Sequence, residues 1–183
     1  MRRMSWLIAN EGQRYEKYQT QKFKTPSGKV EFFSTRLAEA GLPGVPFADG
    51  LGENPISFDD RSAEYPMLGI SGSRDIRFTN SQFRGIPSLL KSGAGPVVDI
   101  HPADAKQHGF IEGDTLRIET PKGTIAMAAR VSTTVRPRTV RIAWGWGDYD
   151  PDCNLNVLTE DDRRGKVTGT STSRSFMCRL RKG

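Results

Sequence analysis

The residues best equipped for chemistry lie in one run, Ser71-Gly72-Ser73-Arg74-Asp75-Ile76-Arg77-Phe78-Thr79-Asn80-Ser81-Gln82-Phe83-Arg84. It follows the apolar stretch Met67 to Ile70, opens on small residues that leave backbone N–H groups accessible, and sets Arg74, Arg77 and Arg84 among hydroxyl and amide side chains. Backbone amides and arginine forks hold phosphate oxygens, and amide side chains match the edge of a purine or a pterin. The same composition also suits a solvated loop with an N-capped helix, because loops favour these residue types. A second candidate is Trp144-Gly145-Trp146-Gly147, with Asn154 and Asn156 a few residues on. Rigid indoles, permissive glycines and amides near strand ends can wall a flat heterocycle. Equally, the tryptophans can cover the end of a barrel.

Other chemistries lack their residues. Gly28-Lys29 invites a phosphate-loop reading, but that motif needs glycine where Phe23 stands and a hydroxyl residue where Val30 stands. Ser71 and Ser73 sit in no G-x-S-x-G elbow, and neither His101 nor His108 has a visible orienting partner. There is no HExxH and no CxxC, so Cys153 and Cys178 read as ordinary thiols and no metal ligand is expected from this chain. No catalytic residue is expected either. His101-Pro102-Ala103-Asp104-Ala105, Gly109 and Gly113-Asp114 read as turn and capping chemistry.

The candidates need elements to position them. With 19 glycines and 11 prolines in 183 residues, long helices are disfavoured and a β-rich, loop-rich chain is expected. Short strands are predicted at Met67–Ile70, Val97–Ile100, Thr115–Thr120, Thr124–Val131, Thr139–Ala143 and Phe176–Leu180, with a short helix over Pro102–His108. Near-even spacing with glycine and proline turns implies a closed barrel or sandwich. Upstream, Lys29–Phe33 is predicted as a strand and Ser34–Ala40 as a helix, after a polar, aromatic strap over residues 1–24. Gly41 to Asp60 reads as a linker. Two domains are therefore expected, an N-terminal strap and linker over 1–62 and a β-barrel over 63–183.

Charge separates the same two parts. Residues 1–62 carry 9 basic and 8 acidic side chains, and residues 63–183 carry 18 and 13, so the second part holds the basicity. Without a Lys/Arg block or aromatics interleaved with basic residues, nucleic acid is not the expected partner; a compact phosphate-bearing ligand is. No apolar run approaches the ~20 residues that span a bilayer, so direct membrane insertion is not expected. No export signal is visible, which favours a cytoplasmic over a periplasmic location.

Taken in order, Lys24-Thr25-Pro26-Ser27-Gly28-Lys29-Val30-Glu31, Ser71–Arg74, Thr79–Arg84, His101-Pro102-x-Asp104-Ala105, Gly109, Gly113-Asp114, Thr120-Pro121-x-Gly123, Trp144 and Asn156-x-Leu158-Thr159 resemble the C-terminal part of the molybdopterin oxidoreductases, the dimethyl sulfoxide reductase family. The resemblance spans roughly residues 22–183. It implies a mainly β fold, a double-psi β-barrel with short helices preceded by an extended N-terminal segment. It also implies a bis(molybdopterin guanine dinucleotide) cofactor carrying molybdenum or tungsten, with the metal's ligand supplied by other domains. The implied cofactor-binding residues are Ser71, Gly72, Ser73, Arg74, Arg77, Thr79, Asn80, Ser81, Gln82, Trp144, Gly145, Asn154 and Asn156. Enzymes of that family are several times longer. The expected partner is thus the remainder of the oxidoreductase, with no turnover from this chain alone; the alternative is a stand-alone barrel subunit or scaffold that binds a partner protein without cofactor.

Overall fold

The computed structural model describes residues 16–45, 63–72, 75, 77–78, 80–91, 95–161, 164, 169–171 and 173–183. The chain divides into two compact units, Met1–Gly50 and Leu51–Gly183. The linker expected over Gly41 to Asp60 lies mostly outside the described residues, as does the first part of the strap.

Within the first unit, the helix Thr35–Glu39 starts where Ser34 Oγ accepts from the Leu37 N–H at 3.3 Å and stops before Gly41, whose φ of +72° suits glycine. The strand expected at Lys29–Phe33 does not form. Its backbone is spent on a local turn: Thr25 Oγ1 donates to the Lys29 carbonyl at 2.6 Å, and Glu31 accepts from the Ser27 N–H at 2.8 Å. A strand needs a neighbouring ladder, and alternation in five residues cannot supply one. Phe32 is left 89% exposed, and none of the described residues of this unit is buried.

The second unit is a closed barrel of six strands, β1 (Met67–Ser71), β2 (Val97–Ile100), β3 (Thr115–Glu119), β4 (Thr124–Val131), β5 (Thr139–Ile142) and β6 (Ser175–Lys182). Their order around the barrel is β1-β5-β2-β4-β3-β6, with β1–β5 and β2–β4 parallel and the other pairs antiparallel. Closure leaves no sheet edge unpaired. Alternation decides what points inward: Val98, Ile100, Leu116, Ile118, Val140, Ile142 and Cys178 are wholly buried, with Met127 and Ile125 beside them. Gly69 is small because a Cβ there would lie 2.5 Å from the Phe176 ring across the β1–β6 ladder. The helix Pro102–His108 forms as expected, capped by His101 Nδ1 on the Ala103 N–H and ended by Gly109 at φ +70°. Asp104, on that helix, is buried and accepts from the Arg138 N–H at 2.7 Å, tying the helix to the start of β5.

Register fixes which loops meet. Because β5 runs parallel to β1 and antiparallel to β2, the ends of β1 and β5 and the start of β2 fall at one end of the barrel. There the Gly72 N–H donates to the Ile142 carbonyl at 3.2 Å and the Ala143 N–H to the Val97 carbonyl at 3.0 Å. The two runs singled out for chemistry, Ser71–Arg84 and Trp144–Gly147, leave the barrel at this end.

On the other side, Glu119 of β3 accepts from Arg179 Nε at 2.6 Å and lies 3.4 Å from Arg181, both on β6. The hydrogen bond from Arg179 is the main cause that holds its carboxyl below the ordinary 4.5. A carboxyl whose folded pKa is depressed adds stability above the unfolded value and loses it as pH falls through the folded one. Stability of the chain is therefore expected to fall on acidification below about pH 4.5. In denaturant melts across that interval the Glu119→Gln chain should lose less stability than the wild type.

Candidate functional site

A cleft of about 100 Å³ opens at the barrel end where the two runs leave. Its described lining includes Asp75, Arg77 and Arg84 from the first run, Trp144 and Trp146 from the second, and Arg130 and Arg141 from β4 and β5. Arg130 and Arg141 flank Asp99 of β2, their partner in both ladders, and all three alternate with inward-facing apolar residues, which puts them on the outer face. Asp99 is 1% exposed, with Oδ2 accepting from Arg130 Nη2 and from Arg141 Nη1, each at 2.9 Å. Its hydrogen bond to Arg130 is the main cause that raises the Arg130 pKa, so that guanidinium stays charged. Arg141 lies flat across Gly72, where a Cβ would meet its Nε at 2.2 Å. This explains a glycine directly after β1.

The first run supplies further lining residues. Asp75 takes the fork of Arg77, with Nε to Oδ1 at 2.9 Å and Nη2 to Oδ2 at 3.0 Å, and also accepts from the Arg77 N–H. That pairing lowers the Asp75 pKa, the side-chain bond from Arg77 being the largest cause, and both groups stay ionised. Arg84 is 5% exposed. Its Nη2 donates to the carbonyls of Asn80 at 3.1 Å and Trp144 at 3.0 Å, joining the two runs. Its guanidinium carbon lies 3.9 Å from the Trp146 ring centroid and 4.6 Å from that of Phe78, and these rings meet edge to face. Burial pushes its pKa down and Asp75 acts against that, yet a guanidinium keeps its proton in any protein environment. Nε and Nη1 of Arg84 are sheltered from water and have no hydrogen-bond partner.

The expected site residues are only partly gathered here. Arg77 and Trp144 line the cleft, and Ser71 and Gly72 lead into it from β1. Asn80, at φ +55°, and Gly145, at φ +80°, flank Arg84. Ser81 is half-buried and Gln82 exposed, while Ser73, Arg74 and Thr79 lie outside the described residues. Asn154 and Asn156 are not among the described residues that line the cleft: Asn154 caps the 3-10 turn Leu155–Leu158 by accepting from the Asn156 N–H at 3.2 Å. That turn packs on the β3–β4 hairpin, where Thr120 Oγ1 donates to the Leu158 carbonyl at 3.0 Å. Asp99, Arg130 and Arg141 were not expected, since each reads as an ordinary outward residue on its own strand and only the register unites them. Arg84 was expected as one of three loop arginines, not as the buried one.

Residues 68–177 match the molydopterin dinucleotide binding domain family. The chain belongs to this family. Among its relatives are a probable oxidoreductase of Bacillus subtilis, 30% identical over 75% of this chain and 19% of its own length, and the dimethyl sulfoxide reductase DmsA of Escherichia coli, 31% identical over 74% and 18%. The chain thus spans about a fifth of the length of the curated relatives it matches. The solved acetylene hydratase of Pelobacter acetylenicus shares the fold, with a TM-score of 0.76 and 22% identity over 94% of this chain and 28% of that one. The barrel described above is therefore that of a molydopterin dinucleotide binding domain, mainly β and closed, as the sequence implied.

The cleft has the composition of an anion site. Four arginines face two carboxylates, one of the arginines is buried with donors to spare, and indoles form part of the wall. Among the described residues no group of three or more His, Cys, Asp or Glu could hold a metal. Cys153 and Cys178 are buried and free, and burial is the chief cause that pushes both thiols up to about 12.

The union of the two runs through Arg84 depends on Gly145, where a Cβ would come 2.9 Å from Arg84 Nη2 and 3.2 Å from the Asn80 carbonyl oxygen. Gly145→Ala adds left-handed strain to that clash and should cost about 1–3 kcal/mol. Thermal melts followed by tryptophan fluorescence check it, since Trp144 and Trp146 sit beside the substitution.

Proposed function

We propose that this chain supplies the cofactor-binding barrel of a larger molybdenum or tungsten oxidoreductase and seats one end of a bis(molybdopterin guanine dinucleotide) against the Ser71–Arg84 and Trp144–Gly147 runs. The observation that carries this is the arginine-rich cleft where those two runs meet, on the domain that the family match covers. When bound, the group supplies oxidation–reduction at its metal, whose ligands come from other polypeptide. The part of this chain is binding and orientation.

Arg77 and Arg141 both line the cleft, one from the first run and one from β5, and their guanidinium groups are the donors assigned to phosphate oxygens. Asp99 keeps Arg130 and Arg141 extended on the barrel face, so that little side-chain entropy remains to be lost when an anion arrives. Trp144 closes one side of the cleft. Ser71, Gly72, Ser73, Arg74, Thr79, Asn80, Ser81 and Gln82 belong to the same run and are assigned to the cofactor's nucleotide end. Asn154 and Asn156 are assigned to it only through the family resemblance. The partner is the rest of the oxidoreductase, in keeping with relatives about five times longer. Exposed Phe32, Phe33 and Tyr18 of the first unit suit burial against it.

The test is titration of the 183-residue chain with the extracted dinucleotide cofactor. Saturable binding that weakens with salt is expected, and Arg77→Ala and Arg141→Ala should each weaken it by about tenfold. Absence of binding by the wild type, or full affinity in both variants, contradicts the reading. In the first case a scaffold that binds protein without cofactor becomes the better account.

A further inference from the structure

Most charges around the cleft are already matched. Arg130 and Arg141 share Asp99, and Arg77 holds both oxygens of Asp75. Arg84 differs. It is the most buried of the four, its Nη2 is used on two neutral carbonyls, and among the described residues no carboxylate reaches it. Two of its nitrogens have no acceptor, and the rings of Trp146 and Phe78 offer only their faces. Such a group is held in place by the carbonyls and the rings while its charge goes unanswered. An anionic oxygen that enters the cleft is the missing acceptor. Asp75 already sits on the same cleft as a negative charge, and its field acts on Arg84 without a hydrogen bond to it.

We propose that Arg84 is the principal phosphate contact of the cleft, with Nε and Nη1 as donors, and that Asp75 is an internal competitor that limits how tightly an anion is held. This rests on the reading of the cleft as the seat of a phosphate-bearing ligand, and adds to it which residue grips the anion and which opposes it. Removal of the two charges must then act in opposite directions. Loss of Arg84 removes donors and charge. Loss of the Asp75 charge removes repulsion between that carboxylate and the ligand.

Binding is measured by calorimetry on the 183-residue chain with three probes: inorganic diphosphate, guanosine diphosphate, and guanosine, which lacks phosphate. Arg84→Gln should weaken both phosphate probes by about tenfold or more, and Arg84→Lys, which keeps the charge, should weaken them less. Asp75→Asn should tighten both by several-fold, while guanosine responds to none of the substitutions. Circular dichroism melts show whether each variant folds. Should Arg84→Gln fail to fold, the sign of the Asp75→Asn effect decides, and weaker or unchanged binding there overturns the proposal. Equal affinity of wild type and a folded Arg84→Gln also overturns it. If that equality holds while the wild type still binds the full dinucleotide, the cofactor reading stands and only the assignment to Arg84 falls. A wild type that binds neither the dinucleotide nor either phosphate probe overturns both.

Discussion

A positive charge taken out of water, with no carboxylate bonded to it among the described residues, dominates this barrel end. Arg84 reaches across from one loop to the other, and the carbonyls of Asn80 and Trp144 converge on its Nη2. The arrangement asks several things of the sequence at once. Asn80 takes a left-handed backbone conformation beside it, Gly145 must lack a side chain, and Phe78 and Trp146 must present ring faces. A solvent-exposed arginine would need none of these. Their joint presence marks Arg84 as the fixed point around which the two loops are ordered.

The barrel contributes the other half by geometry alone. Parallel pairing of β1 with β5 carries the loops after both strands to one end, and β2, parallel to β4 and antiparallel to β5, sets Asp99 between Arg130 and Arg141. No sequence neighbour links these three residues. The resulting outer face is basic yet ordered, because each guanidinium rests on a buried carboxylate and is not free to roam. A surface of this kind gives up less entropy on binding an anion than one made of loose lysines. The buried thiols, by contrast, stand apart from the cleft: Cys178 pairs with Met67 inside the barrel, and Cys153 donates to the Ala126 carbonyl.

Much of the architecture could be read from residues. Thr115–Glu119 and Thr124–Val131 alternate so regularly, with Pro121-Lys122-Gly123 between them, that a hairpin is the natural reading, and it is the longest ladder of the barrel. Pro102–His108 announced itself by proline at the start and glycine at the end. Lys29–Phe33 misled because alternation over five residues is matched equally well by a turn whose hydroxyl and carboxylate side chains take the backbone groups. The cleft was half legible. Arginines and amides near Ser71 pointed to phosphate, but burial of Arg84 is a tertiary fact. The wall formed by Asp99, Arg130 and Arg141 needs strand register, which no local pattern encodes.

The most direct measurement is a crystal structure of the 183-residue chain grown with guanosine diphosphate. The account places a phosphate oxygen within about 3 Å of Arg84 Nε or Nη1 and inside the cleft between Arg77 and Arg141. A diphosphate bound at another face, with Arg84 still turned only to the Asn80 and Trp144 carbonyls, would contradict it.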